Sequence, residues 1–333
     1  MIIDAHTHMF HEKSLEDFAN LGGDWAKKKV EELSALVQKK PALVNVQDRL
    51  GFQERNGVDL QIVTPPHFAY CSLMPDDIEM KLKVVQSIND GMGRLMDESK
   101  GKLIGVGTVP LEKYDQYGKQ EMERAVKTCG LKGVAIASHW YGKPLDAPEF
   151  DDFWAQAAEM DLPVHIHPTD PVVFTGRVYE NEYDLAHNFG WPFETILALS
   201  HIVFSGLLER YPTLKIISHH LGGGIPFFWG RIEETYAPEK QQALLGRVMP
   251  KPLLDLFSLI YYDTAVGGSA SAIKCAYDVF GADQLVFATD APFGPGTGEE
   301  RLESYPKVIR SLGLSESENN KIFADNAKRI FNL

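Results

Sequence analysis

A chain of 333 residues with 44% hydrophobic, 24% charged and 11% aromatic side chains has the make-up of a soluble globular protein, and it is long enough for one α/β barrel with insertions. Its net charge of -13 argues against nucleic acid and anionic membranes as partners, though not against a small anionic substrate drawn in by a local arginine or a metal ion. No stretch approaches the ~20 apolar residues of a membrane span, and the N-terminus lacks the basic-then-apolar pattern of a signal peptide. Cys71, Cys129 and Cys275 are few, odd in number and widely spaced, which fits a reduced, cytoplasmic protein.

The first apolar segment, MIIDAH (1–6), runs into Asp4, His6 and His8 at a spacing of two. Alternation along a strand puts both histidines on one face. Residues 9–57 form a long connection containing DWAKKKVEELSALVQKK (24–40), a charged helix that does not belong to a barrel wall. VDLQIVTPP (58–66), LIGVGTVP (103–110) and GVAIASH (133–139) are further apolar segments rich in β-branched residues, with an amphipathic stretch EMERAVKTC (121–129) before the last. The helical DDFWAQAAEM (151–160) leads to LPVHIHP (162–168). A second long connection, 169–213, carries Arg177, Tyr183 and His187 and then an apolar helix beginning WPFETILALSHIVF. LKIISHH (214–220), LIYYDTA (259–265) and QLVFATDAPFG (284–294) follow, with the helical SASAIKCAYDVF (269–280) between the last two.

Buried parallel strands read as continuous apolar runs because helices cover them. Strand–helix alternation repeated eight times predicts a (β/α)8 TIM barrel. The whole chain, 1–333, is expected to be one domain, with 9–57 as insertion and first crossover. A doubly wound open sheet is the alternative.

Polar residues cluster at the strand ends: His6 and His8 on the first, His167 on the fifth, His219 and His220 on the sixth, Asp263 on the seventh and Asp290 on the eighth. In a barrel these ends share one mouth, where catalytic groups collect. Imidazoles with a carboxylate suit zinc and similar metals, and three histidines plus an aspartate leave a position open for water or substrate. A lone His-x-His is more often structural, so the convergence of three strand-end motifs carries the inference. His165 lies one layer deeper and reads as a core residue, whereas His11, His67, His139, His187 and His201 have no pattern of their own. Trp140, Tyr141, Trp191, Phe193 and Phe293 fall in loops of the same face and suit a flat, conjugated substrate.

DAHTH, HIHP, ISHHLGGGIPFFWGR and FATDAPFG resemble the amidohydrolase superfamily, and more narrowly its branch of metal-dependent decarboxylases typified by 2-amino-3-carboxymuconate-6-semialdehyde decarboxylase. The resemblance covers nearly the whole chain. It implies one divalent metal, usually zinc and in some members manganese, held by His6, His8, His167 and Asp290. It also implies non-oxidative loss of CO₂ from an unsaturated or aromatic acid, with His220 and Asp290 moving the proton. Alignment back from Arg231 selects His220 over its neighbour His219, since adjacent strand residues face opposite ways and only one should enter the mouth. Arg231 matches a family arginine that reaches the neighbouring subunit's site, so a homodimer, or a larger oligomer built from dimers, is implied. The fourth strand ends in Ser138 and His139, without the carboxylated lysine of two-metal relatives, and Lys143 lies well beyond.

A second substrate-binding arginine of the muconate-semialdehyde enzyme has no counterpart here; ALVQKKPALVN offers Lys39 and Lys40, and Arg49 aligns elsewhere. A hydroxybenzoate-type acid or another dicarboxylate therefore stays open beside the muconate. A lactone or amide hydrolase, or a hydratase, could use the same parts, and a non-catalytic metal-binding barrel is the remaining reading.

Overall fold

The computed structural model of the chain describes residues 1–21, 23–66, 77–169 and 183–333. His67, Cys71 and Arg177 lie outside them. Among the described residues, eight parallel strands follow one another around a barrel: β1 (Ile3–His8), β2 (Leu60–Thr64), β3 (Leu103–Gly105), β4 (Val134–Ala137), β5 (Val164–His167), β6 (Ile216–Ser218), β7 (Ile260–Asp263) and β8 (Leu285–Val286). β1 to β3 form one continuous ladder and β4 to β8 another. Two single bridges, Gly107 to Val134 and Thr7 to Ala291, join the ladders, and Ala5 N–H donates to the Phe287 carbonyl at 2.8 Å across the second seam. The expected closed barrel is present; the open sheet is not.

The barrel wall sorts its residues by parity. Val134, Ile136, Val164, Ile166, Ile216 and Ile260 pack outward in the large cluster shared with the helices, beside Phe153, Trp154 and Leu199. Ile62, Ile104, Ala135, Ala137, Ile217 and Val286 turn inward. Ala324, Ala327, Ile330 and Phe331 join that inner cluster, so the C-terminal helix Asn326–Phe331 closes the end of the barrel opposite the mouth.

β1 departs from simple alternation. Asp4 pairs with Gln61 but Thr7 pairs with Val63, so β1 holds one residue more than β2 over that stretch. This bulge lets Ala5 face the inner cluster and His6, its neighbour, face inward too, with His8 following two residues on. Asp4 points to the seam between strands instead. Its carboxylate accepts from Thr289 N–H at 2.9 Å, Thr289 Oγ1 at 2.6 Å and Gln61 Nε2 at 3.1 Å. Burial pushes Asp4 up to about 6 against the pull of those donors.

The connection after β1 folds into helices Glu12–Leu21 and Gly23–Lys39, then Val46–Asn56 against the barrel. Asn45 caps the last of these by accepting from the N–H groups of Gln47 and Asp48. The apolar stretch after β5 forms the helix Trp191–Phe204. Among the described residues no helix is long and apolar enough to cross a membrane.

Candidate active site

His6 Nε2, His8 Nε2 and Asp290 Oδ1 converge in the mouth. The two nitrogens are 3.0 Å apart, and the oxygen lies 3.2 Å from His8 and 3.8 Å from His6. Ligands around a tetrahedral ion at about 2.0–2.1 Å stand roughly 3.4 Å from one another, so these donors are spaced for one metal. His167 lies across the mouth, its ring 5.7 Å from His6 and 5.4 Å from His8.

What lies behind the rings decides which nitrogen each offers. His6 Nδ1 is 2.7 Å from Asp263 Oδ2, and His167 Nδ1 is 2.6 Å from the Pro168 carbonyl. His8 Nδ1 faces Thr64 Oγ1 at 3.0 Å, whose own proton goes to the Thr7 carbonyl. All three therefore find an oxygen acceptor at Nδ1 and leave Nε2 for the centre, the arrangement by which outer partners orient metal-binding imidazoles.

The expectation that only one of His219 and His220 enters the mouth is corrected. β6 ends at Ser218, and His220 has a φ of +52°, so strand alternation stops before the pair. His219 is fully buried and stacks on His6 at 3.5 Å, while the His220 ring lies 5.6 Å from His6 and 5.4 Å from His167. The His6 and His219 rings stack within 19° of parallel, and His6, His167 and His219 each bring one ring nitrogen within 4.8 Å of the others. Nε2 of His219 lies 2.9 Å from Nδ1 of His165, the deeper histidine, which sits in the core as expected. His220 Nδ1–H donates to the Ala265 carbonyl at 2.9 Å, which leaves Nε2 for chemistry.

Gly222 and Gly223, both at positive φ, carry the chain away from this turn. A Cβ on Gly223 would sit 2.1 Å from the Pro192 carbonyl oxygen, so helix Trp191–Phe204 can approach the turn only because no side chain is there.

Asp290, at a φ of +60°, divides its carboxylate. Oδ1 faces the histidines, and Oδ2 accepts from Arg301 at 2.8 Å. Burial favours its neutral form, but the hydrogen bond to His8 and the charges of His6, His8 and His220 hold it well below the usual carboxylate range. Burial, followed by the proximity of His8, keeps His6 well below the ordinary histidine value. Burial pushes Asp263 up to about 7 against the pull of His220 and its backbone donors.

Of the residues expected to bind substrate, Phe293 lies 5.2 Å from the His8 ring and Trp191 5.5 Å from that of His167. Arg231 is not among them. It is exposed on the helix Trp229–Thr235 and lines an outer groove of about 660 Å³ with Phe193, Phe228 and Tyr236. Lys143, beyond β4, pairs with the exposed Glu149 on the surface. Lys39 is exposed, and the buried Lys40 donates to the Gly294 and Gly296 carbonyls at 2.8 and 2.9 Å. Arg49, fully buried, gives all its described hydrogen bonds to carbonyls: Ala42 at 3.2 Å, Ala291 at 3.3 Å and His8 at 2.6 Å. It braces the ligand-bearing strands.

Sequence reasoning gave no role to Arg301 or to Thr64, and noted Asp263 only as one more strand-end acid. Their partners lie on other strands or one helix away, and no local pattern marks them.

Three comparisons fit this geometry. The chain is 29% identical over 284 residues, 84% of its length and 74% of the relative's, to 2-amino-3-carboxymuconate-6-semialdehyde decarboxylase of Dictyostelium discoideum. It is 25% identical over 302 residues to gamma-resorcylate decarboxylase of Rhizobium sp. (strain MTP-10005), covering 87% of this chain and 88% of that one. Its fold matches a dihydroxybenzoic acid decarboxylase from Polaromonas sp. JS666, solved with manganese and the inhibitor 2-nitroresorcinol, with a TM-score of 0.78, 23% identity and coverage of 100% and 97%. An amidohydrolase family model matches residues 3–333, and the chain belongs to that family.

Proposed function

We propose that this chain is a metal-dependent, non-oxidative decarboxylase, a carboxy-lyase acting on an aromatic or unsaturated carboxylic acid of hydroxybenzoate or muconate type. The observation that carries the reading is one mouth in which His6 Nε2, His8 Nε2 and Asp290 Oδ1 lie at metal-ligand spacing, with the rings of His167 and His220 beside them. His6, His8, His167 and Asp290 would hold one divalent ion. Zinc suits this histidine-rich set, with manganese the alternative in view of the Polaromonas structure. An ion bound there would supply positive charge to offset the charge of the substrate's carboxylate.

The remaining work falls to the chain's own side chains. An aryl or vinyl carbanion is too unstable to form freely, so the carbon bearing the carboxylate is protonated as, or before, CO₂ leaves. His220, anchored through Nδ1–H to Ala265, delivers that proton from Nε2. Asp290, whose Oδ1 faces the same centre, is the second group placed to move that proton. The C–CO₂ bond then breaks, and its electrons restore the conjugated system. Trp191 and Phe293 flank a flat substrate.

We further propose that the chain works as a single-domain barrel in the cytoplasm, in keeping with the free thiols of Cys129 and Cys275. It works as a homodimer in which Arg231 binds substrate across the interface. The exposed Phe227 and Phe228 beside Arg231 support that surface.

The test is CO₂ release from a panel of hydroxybenzoates and carboxymuconates, run alongside metal analysis. Release that depends on the bound metal is the expected result. Solvent oxygen-18 entering product without CO₂ release would replace decarboxylation with hydrolysis or hydration.

A further inference from the structure

Asp263 is the last residue of β7, and its carboxylate is fully buried between two parts of the centre. Oδ2 lies 2.7 Å from Nδ1 of His6. Oδ1 accepts the backbone N–H of His220 at 2.8 Å and of Ala265 at 3.0 Å. The Ala265 carbonyl in turn takes Nδ1–H of His220 at 2.9 Å. One carboxylate thus touches a metal-ligand ring directly and fixes both the main chain from which His220 projects and the residue that anchors the His220 ring.

We propose that Asp263 is a positioning residue that couples the metal ligand His6 to the proton donor His220. A neutral imidazole can carry its proton on either nitrogen, and only the tautomer with Nδ1–H leaves Nε2 free to ligate. Asp263 selects that tautomer, with Nε2 facing His8 Nε2 at 3.0 Å. Its other oxygen holds His220 at a φ of +52°, a left-handed conformation that a Cβ disfavours. That conformation is what turns His220 toward the centre next to His219. The geometry needs acceptors on both carboxylate oxygens, because three donors face them. Asparagine cannot serve. Its amide NH₂ must oppose either His6 Nδ1–H or the two backbone N–H groups.

This inference rests on the metal centre and the role of His220 proposed above, and its test separates the two. Apo wild type and D263N, both checked for folding by circular dichroism and urea unfolding, are titrated with zinc against a chelator. The variant should bind zinc about 10- to 100-fold more weakly. Wild-type protein labelled with ¹⁵N-histidine and loaded with zinc should show His6 as the Nδ1–H tautomer, assigned by its loss in H6Q. This arm needs neither substrate nor the variant's folding. At saturating zinc, D263N should lower kcat by about tenfold or more, and the same change in an H220A background should lower it no further. Unchanged zinc affinity, or His6 protonated at Nε2 in the loaded protein, overturns the link to His6. Fully additive losses of kcat overturn the link to His220. A wild type that binds zinc but releases no CO₂ from any acid refutes the decarboxylase reading, while the zinc and tautomer measurements still decide whether Asp263 sets His6.

Discussion

Each of His6, His8 and His167, the proposed ligands, finds an oxygen behind its Nδ1 atom: a carboxylate for His6, Thr64 for His8 and a main-chain carbonyl for His167. Replacing His167 with alanine removes a donor from the set, so metal content measured on the purified protein should fall along with activity. His220→Ala removes no ligand; metal content should stay and turnover should drop about 10²- to 10⁴-fold, the usual share of a general acid. Loss of turnover in His219→Ala with His220→Ala still active would reverse the two roles. Arg49 gives a separate test. Its removal as Arg49→Leu strips that donor from the carbonyls of Ala42 and His8 in the core, while the Ala291 carbonyl keeps the His8 N–H at 2.8 Å. Each unpaired group costs about 1–3 kcal/mol, so urea unfolding should show a loss of about 2 kcal/mol or more. Arg49→Lys should recover only part, since an ammonium cannot reach carbonyls spread around a planar fork. At this scale the histidines of the mouth were legible because a spacing of two at a strand end fixes direction. The choice between His219 and His220 was not, because it depends on where β6 stops and on one left-handed residue. The clamp of Arg301 on Asp290 was also hidden, since it bonds across the eleven positions between strand end and helix.

Among the elements, the charged helix expected at 24–40 is the helix Gly23–Lys39, and the apolar one after the fifth strand is Trp191–Phe204. Periodicity and length made both readable. The strands are shorter than their apolar runs: 284–294 reads as one segment, yet β8 proper is Leu285–Val286. Past the strand the run stays buried, with Phe287 and Ala291 in the large core cluster and Phe293 beside His8, and Asp290 at positive φ breaks the extended backbone. The bulge in β1 was beyond reach from sequence, since it exists only in the pairing with β2. The insertion also acts on the site. Lys40, just past the helix Gly23–Lys39, ties the Gly294–Gly296 loop that follows Phe293. Lys40→Met should free that loop. Hydrogen exchange of its amides should speed up by roughly tenfold or more, as expected from losing two charged hydrogen bonds of about 1.5–3 kcal/mol each. Metal content should not change. Unaltered exchange would leave Lys40 as a bystander in the loop.

For the whole molecule, the barrel brings residues 6 and 290 into contact because strand ends share a face, which is why the alternation of elements sufficed to gather these side chains at one mouth. It does not bring in Arg231. That side chain sits on the outer groove beside Phe193 and Phe228, with Phe227 78% exposed on the same turn. An arginine placed there reaches a substrate only if a second copy covers the groove. A guanidinium paired with a substrate carboxylate away from water contributes roughly 1.5–3 kcal/mol, so Arg231→Ala should lower kcat/KM by about one to two orders of magnitude with metal content intact. Mixing Arg231→Ala chains with His220→Ala chains then distinguishes the arrangements. If the arginine acts across the interface, each mixed dimer holds one mouth with both defects and one with neither, and activity should rise above that of either parent. Demonstrated mixed dimers without that recovery would confine Arg231 to its own subunit's surface and remove it from substrate binding.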